Sequence, residues 1–302
     1  MNKINMIWGS PDFLSPYWDS ISIKTDQFKK PLEYQFGSNF LLKEKIAELH
    51  DFIGNAETKG KRIVVANGAT PLLQALMFLL SKKKKTSCVF APAPCFSRLK
   101  PLAEYLGLTW KKTKKSVVIN TVPNNPDGDI KKIHSDVLDL VYYWPQYLKI
   151  THKINHDVML FGLSKATGHA STRIGWVLLE DHKLADELEK YIEVTSGGLS
   201  IDAQFKAISV IEATLKQYHS IFDDGKTTLD TRWQKITEIE HLLPFQIMNK
   251  GRGMFLWAKG ICPKEIVSLN GKEMNSNEKY FRLNLGCSEE TFNRFINLFT
   301  KN

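Results

Sequence analysis

The run Ser164-Lys165-Ala166-Thr167-Gly168-His169-Ala170-Ser171-Thr172-Arg173-Ile174-Gly175-Trp176 follows directly on the apolar stretch 158–163. A lysine that leaves an apolar run, instead of sitting on a charged face, is placed against the end of a buried strand. There desolvation disfavours its ammonium form, as a Schiff-base lysine requires. Arg173 opens the next apolar run, 173–179. Taken alone, Lys165 is also compatible with a solvent-exposed loop lysine, so the rest of the chain has to decide.

Upstream, segments of helical spacing alternate with short β-branched runs. Residues 40–52 place Leu41, Ile46, Leu49 and Phe52 largely on one face and stop at Gly54, as an amphipathic helix with a C-terminal glycine does. Residues 62–66 (RIVVA) form a candidate buried strand, followed by a glycine-containing turn and a helix over 71–80 with Pro71 in its first turn. A strand at 87–91, a helix at 97–106 ending at Gly107 and a strand at 116–121 repeat the alternation, and further strands fall at 137–142, 158–162 and 173–179. Such alternation predicts an α/β fold, with a mainly parallel sheet and helices on both faces. From 182 to 241 the pattern turns helical, with one long segment linking two lobes. Strands at 253–258 and 280–285 and a helix at 290–299 then make a smaller α+β unit. The expected division is a large domain at 30–190 and a small domain from 1–29 together with 191–302.

With 302 residues, 43% apolar and 24% charged, the chain is an ordinary globular sequence, not a disordered one. Its 41 Lys+Arg against 32 Asp+Glu give a formal charge of +9, but much of the excess lies in the runs 82–85 and 111–115, at ends of apolar segments where solvated loops belong. No helix-turn-helix, zinc or RNP-type pattern accompanies them, so nucleic acid is not an expected partner. Cys88, Cys95, Cys262 and Cys287 form neither a CxxC pair nor a dense disulfide framework; reduced thiols in a cytoplasmic protein and no metal site are expected. Residues 1–8 hold no apolar core of signal-peptide length, and the longest apolar stretch, 72–80, is too short to span a bilayer and contains Gln74.

Ligands of an open parallel sheet bind at the carboxyl ends of its strands, and four loops fall there. In Asn67-Gly68-Ala69-Thr70, glycine permits close backbone approach, and the helix N-terminus with the Thr70 hydroxyl suits a phosphate. Asn124-Asn125-Pro126-Asp127-Gly128, by itself, is a simple β-turn. In Asp139-Leu140-Val141-Tyr142-Tyr143-Trp144-Pro145, alternation aims Asp139 to one side of a strand and puts Tyr142 near its mouth. The fourth loop carries Lys165. His169 reads as structural, and Trp144, Trp176 and Trp257 read as core or cleft walls.

In that order the four loops resemble the fold type I aminotransferases that depend on pyridoxal 5'-phosphate, most closely the alliinase and tryptophan-aminotransferase-related group. The opening Gly9-Ser10-Pro11-Asp12-Phe13-Leu14-Ser15-Pro16-Tyr17-Trp18 is similar to that group's N-terminal segment, so the likeness spans nearly the whole chain. The resemblance implies that Lys165 forms the Schiff base and shuttles the substrate Cα proton. It implies that Asp139 pairs with the ring nitrogen and keeps it protonated, and that Asn125 and Tyr142 bond the phenolic oxygen. Gly68, Ala69, Thr70 and Arg173 would hold the phosphate, a set of amides, dipole and guanidinium suited to a dianion. Tyr34, in Glu33-Tyr34-Gln35-Phe36-Gly37, resembles the tyrosine that reaches a neighbouring subunit's phosphate, which implies a homodimer with shared sites. Arg282, in Phe281-Arg282-Leu283-Asn284-Leu285, resembles the arginine that grips a substrate α-carboxylate, and Gly9 stands with it on the substrate side.

Three departures are legible. Gly162 stands where relatives often carry Ser or Thr on the phosphate, a role left to Ser164. Phe96 is the nearest candidate for the aromatic that stacks on the ring. The chain is also short for the group, which points to trimmed loops or a reduced small domain. The expected function is transfer of an amino group from an L-amino acid, aromatic or apolar, to a 2-oxo acid. A carbon-sulfur lyase of alliinase type is the alternative; the cysteine-rich module of plant alliinases is not in this sequence, which favours transamination. A catalytically silent binding protein is the third possibility, against which the joint presence of Lys165, Asp139 and Arg173 argues.

Overall fold

The structure, a computed structural model, describes residues 3–7, 9–18, 21 and 40–300. Tyr34 lies outside the described residues. In chain order the elements are β1 (Ile4–Asn5), α1 (Ser15–Trp18), α2 (Phe40–Ile53), β2 (Arg62–Ala66), α3 (Ala69–Lys83), β3 (Cys88–Phe90), α4 (Leu99–Tyr105), β4 (Thr109–Trp110), β5 (Val117–Thr121), β6 (Val137–Asp139), β7 (Val158–Gly162) and α5 (Leu163–Ala166). They continue with β8 (Gly175–Leu179), α6 (His182–Ser196), α7 (Ile201–Lys216), α8 (Asp224–Glu238), β9 (Phe245–Ile247), β10 (Phe255–Gly260), β11 (Ile266–Val267), β12 (Leu269–Asn270), β13 (Tyr280–Asn284) and α9 (Glu289–Thr300).

Seven strands form one sheet in the order β2-β8-β7-β6-β5-β3-β4. Its pairings are parallel except those of β8, which runs antiparallel to both β2 and β7. The strands that read as continuous apolar runs are buried on both faces, as a covered parallel sheet demands. Ile63, Val65, Met159, Phe161, Trp176 and Leu178 belong to one core cluster, with Ile46 and Leu49 of α2 and Ile208 and Ile211 of α7. Their alternate neighbours Val64, Ala66, Val158, Leu160, Val177 and Leu179 belong to the other, with Leu72, Leu76 and Met77 of α3 and Leu184 and Leu188 of α6. Each such side chain, fully buried, contributes about 1.5–3 kcal/mol of transfer free energy. The α/β class and the two-sided covering expected from the sequence are thus present.

Three expectations are corrected. The strand expected at 137–142 ends at Asp139, because Leu140 to Tyr142 turn away, and Tyr143 N closes the turn on Leu140 O at 2.9 Å. The strand expected from Arg173 begins at Gly175, and Arg173 itself is left-handed at φ 54°. The segment 182–241 is helical as expected, but in three helices of similar length and not around one long linking segment. Asp181 caps α6 by accepting from Leu184 N; Gly197 at φ 65° and Gly198 at φ 100° end it; Ser200 caps α7; and a π-type turn, His219–Asp223, leads into α8.

A second, antiparallel sheet has the order β12-β13-β10-β9, and β1 pairs in parallel with β11 beside it. The N-terminal segment is laced to β13 by Asn284 N on Met6 O and Asn284 Nδ2 on Ser10 O, both 2.8 Å. This lacing carries Gly9 from the small sheet to the carboxyl edge of the large one.

Candidate active site

The loops after β2, β3, β5, β6 and β7 all open at one edge of the large sheet. Because β8 runs the other way, the residues that precede it reach the same edge, and this is how Arg173 joins loops that follow their strands. Between this edge and the small sheet lies a cavity of about 880 Å³. Gly9, Ala69, Thr70, Phe96, Asn125, Asp139, Tyr142, Ser164, Lys165, Arg173 and Arg282 all line it. Every described residue assigned from the sequence is therefore on its wall except Gly68, which packs against Arg173.

Gly68 is the N-cap of α3, and no side chain caps that end, so the first amides of a fifteen-residue helix are left for a ligand. Its backbone has φ 101°, and a Cβ there would lie 2.5 Å from Arg173 Nη2. A Cβ at Gly175 would lie 2.5 Å from Ala69 N. The two glycines let β8 press its lead-in against the helix N-terminus. Arg173 Nη1 donates to Ala170 O at 2.9 Å, which sets the guanidinium beside the uncapped amides. Ser164 of α5 lines the same cavity.

Lys165 is the third residue of the one-turn helix α5. Its Nζ donates to Gly9 O and sits 5.8 Å from the centroid of the Tyr142 ring. Burial, with the nearby Arg282 charge second, pushes the amine down to about 8. The neutral, nucleophilic form is thereby accessible near neutral pH. Asp139 is 2% exposed; its carboxylate accepts Val141 N at 3.3 Å and Thr121 Oγ1 at 3.2 Å. Burial outweighs these bonds and raises its carboxyl to about 6. A carboxylate held in this way is stabilised by a cationic partner arriving in the cavity.

Arg282 is buried, not a solvent-facing strand arginine. It donates to Asn125 Oδ1 at 2.8 Å and Ile7 O at 2.7 Å, and its guanidinium lies 4.1 Å from the Phe255 ring centroid. Its Nε is buried without a partner, and burial lowers the group to about 10, a loss of charge stabilisation that an arriving carboxylate would offset. Asn125 Nδ2 donates to the Tyr142 hydroxyl at 3.2 Å, and burial raises that phenol well above its ordinary value. The chain Arg282-Asn125-Tyr142 thus links the small sheet to the middle of the cavity. His169, bonded to Thr167 Oγ1 at 3.0 Å and edge-on to Trp18, is structural. Trp144 and Trp176 are fully buried core and Trp257 is 5% exposed.

Several residues at the site carried no motif. Thr121 bonds Asp139, the Ile7 carbonyl accepts Arg282, and Gln146 and Tyr147 bond the Lys165 backbone. These are neutral groups or main-chain atoms whose partners are distant in sequence, and no local pattern marks them.

The donor set suits one cofactor: an amine for an aldehyde, a buried acid for a ring nitrogen, and a guanidinium with free helix amides for a phosphate. The Alliinase_C family model, described as Allinase, matches residues 4–242. The chain belongs to the alliinase family. Its fold is fold type I of the pyridoxal phosphate enzymes, and its cofactor is pyridoxal 5'-phosphate. This alliinase-family chain is similar to tryptophan aminotransferase-related protein 3 of Arabidopsis thaliana, 27% identical over 351 residues that cover 97% of this chain and 77% of that protein. It is also similar to an alliin lyase of Allium cepa var. aggregatum, 27% identical over 350 residues covering 94% of this chain and 78% of that protein. In fold it is similar to a double mutant of Thermus thermophilus aspartate aminotransferase, with TM-score 0.78, 14% identity, and coverage of 99% of this chain and 91% of that one. Among the described residues, no helix of this alliinase-family chain is long and apolar enough to cross a membrane.

Proposed function

We propose that this chain is an aminotransferase that moves the amino group of an L-amino acid with an apolar or aromatic side chain to a 2-oxo acid. The observation that carries this reading is the convergence in one cavity of Lys165, Asp139, the Gly68–Arg173 anion cradle and the buried, under-bonded Arg282. Pyridoxal phosphate, when bound, supplies an electrophilic aldehyde and a ring that draws electrons from the carbon bearing the amine. Lys165 Nζ is the nucleophile for that aldehyde. With its amine free, the same Nζ would be the base that moves the proton from the substrate Cα. Asp139 holds a proton on the ring nitrogen. Asn125 and Tyr142 would bond the phenolic oxygen, and Gly68, Ala69, Thr70, Ser164 and Arg173 would hold the phosphate. Arg282 orients the α-carboxylate, and Gly9 closes the substrate side.

Apolar cavity residues next to Arg282 support the substrate class. Leu269 is its cross-strand partner, and Ile7 supplies its carbonyl; both line the cavity. We also infer a homodimer in which Tyr34 completes the partner's phosphate site. We further propose two lobes, 30–190 and 1–29 with 191–302, with α6 and α7, which cover the two faces of the large sheet, packed with the first. A cytoplasmic location accords with four free cysteines.

The test is borohydride reduction of the loaded protein followed by peptide mapping, then assay of amino acid donors with a 2-oxo acid acceptor. Label on Lys165 and a new amino acid formed from the acceptor are expected, and Lys165→Ala loses both while remaining folded. Pyruvate and ammonia released from a cysteine sulfoxide, with no transfer, would replace the transferase by the lyase. Absence of label from Lys165 would remove both.

A further inference from the structure

The segment 139–147 carries Asp139 and Tyr142 on the cavity wall, and it also grips the backbone that bears Lys165. Gln146 Nε2 donates to Lys165 O and to Ala166 O, both at 2.9 Å, and the Tyr147 hydroxyl donates to the same Lys165 O at 2.9 Å. Gln146 is 1% exposed and Tyr147 7%, so these bonds form out of water. A one-turn helix leaves its last carbonyls without intrahelical partners, and one donor each would satisfy them. Here two donors from adjacent residues converge on the carbonyl of the lysine itself. Both lone pairs of that carbonyl are taken by side chains of one loop, which ties the Lys165 backbone to it at two points.

The register that results is specific. The groups assigned to the ring nitrogen and phenolic oxygen, and the groups that hold Lys165, lie on one short stretch of chain, so any shift of that stretch moves them together. We propose that Gln146 and Tyr147 are positioning residues that hold the Lys165 backbone in register with Asp139 and Tyr142. Neither touches the cavity, and both act through the main chain of Lys165. This inference rests on Lys165 being the Schiff-base residue.

The test uses the holoenzyme and three variants. Tyr147→Phe keeps the ring and removes one donor. Gln146→Met keeps the length and removes the other. Tyr143→Phe is the control, since it removes a hydroxyl of the same loop that donates to His152 O instead. The readouts are the pH titration of the bound cofactor's visible band, the split between kcat and KM, and the melting temperature of the cofactor-free protein. Tyr147→Phe and Gln146→Met are each expected to move the titration midpoint by roughly half a pH unit or more. Each is expected to lower kcat about tenfold with little change in KM, the pattern of a misplaced reacting group. Tyr143→Phe should leave both unchanged. Folded Tyr147→Phe and Gln146→Met proteins that titrate and turn over like wild type would overturn the proposal, as would an equal effect of Tyr143→Phe. If Tyr147→Phe does not fold, Gln146→Met decides; if neither folds, the pair serves stability and the proposal is lost. Failure of the wild-type protein to fix cofactor on Lys165 would instead remove the function on which the inference rests.

Discussion

At Gly68 the backbone adopts φ 101° and ψ 169°, and a Cβ would meet Arg173 Nη2 at 2.5 Å. At Gly162, on the same edge, φ is −166°, and a Cβ would meet Ala69 Cβ at 3.7 Å and Ile174 O at 3.8 Å, ordinary contacts. The two glycines therefore answer differently to a side chain. Gly68→Ala strains a conformation that L-residues avoid, at a cost of about 1–3 kcal/mol, and pushes the guanidinium out of the cradle. A lower melting temperature and cofactor binding weaker by about tenfold or more are expected, since a charged hydrogen bond is worth about 1.5–3 kcal/mol. Gly162→Ser fits without strain and adds a hydroxyl to the cavity wall; about 1 kcal/mol, or roughly fivefold tighter cofactor binding, is expected. Equilibrium titration of both variants with pyridoxal phosphate checks the pair. Weaker binding by Gly162→Ser would mean that the phosphate does not lie at this edge.

Elements differ in how visible they are from sequence, and the difference is physical. β2 after Arg62, β7 and β8 are uninterrupted apolar runs, because both their faces are covered, and their periodicity-free signal is strong. β9, β11 and β12 are two or three residues long, too short to show a period; β9 and β12 pair with neighbouring strands of the small sheet, and β11 pairs with β1 at the other end of the chain. The reversal of β8 is likewise invisible locally, yet it brings Arg173 to the cofactor edge. Motif residues were legible through the order and joint presence of four loops that are each ordinary alone, whereas Gln146 and Tyr147 act on a backbone carbonyl that only the fold brings near. The same holds for Arg232 of α8, which carries no motif. Its Nη1 donates to Leu285 O and Cys287 O, both at 2.7 Å, and its Nη2 to Glu289 at 2.8 Å, joining α8 to the turn between β13 and α9. Arg232→Leu leaves two buried carbonyls without these donors, and a loss of about 3 kcal/mol is expected. Urea denaturation of the cofactor-free protein measures it; a loss below about 1 kcal/mol would show that water replaces the guanidinium.

Among the buried titrating groups of the protein, His50 and Asp139 change charge between pH 4 and 7 with opposite leanings, and cofactor binding separates them. His50, fully buried, accepts Trp176 Nε1–H on its Nε2 at 2.9 Å, so its proton sits on Nδ1 and is shared with Asn55 Oδ1 at 2.7 Å. Burial lowers it from 6.5 to about 4. Its neutral form therefore contributes stability above pH 6.5 that is lost as pH falls toward 4, in the empty and the loaded protein alike. Asp139 is raised from 3.8 to about 6 in the empty cavity, so the empty protein loses stability as pH rises from 3.8 through 6. A cationic ring nitrogen at Asp139 removes that loss, because the carboxylate is then the favoured form. Each tenfold change in proton affinity is worth about 1.4 kcal/mol, enough to measure. The gain in melting temperature on adding pyridoxal phosphate should therefore grow as pH rises from 4 to 7, with the His50 contribution cancelling in the difference. In Asp139→Asn this growth should vanish while the acid limb set by His50 and His169, both lowered to about 4 by burial, remains. A gain that stays level with pH in the wild-type protein would mean that no cation meets Asp139, and the ring nitrogen would need another partner.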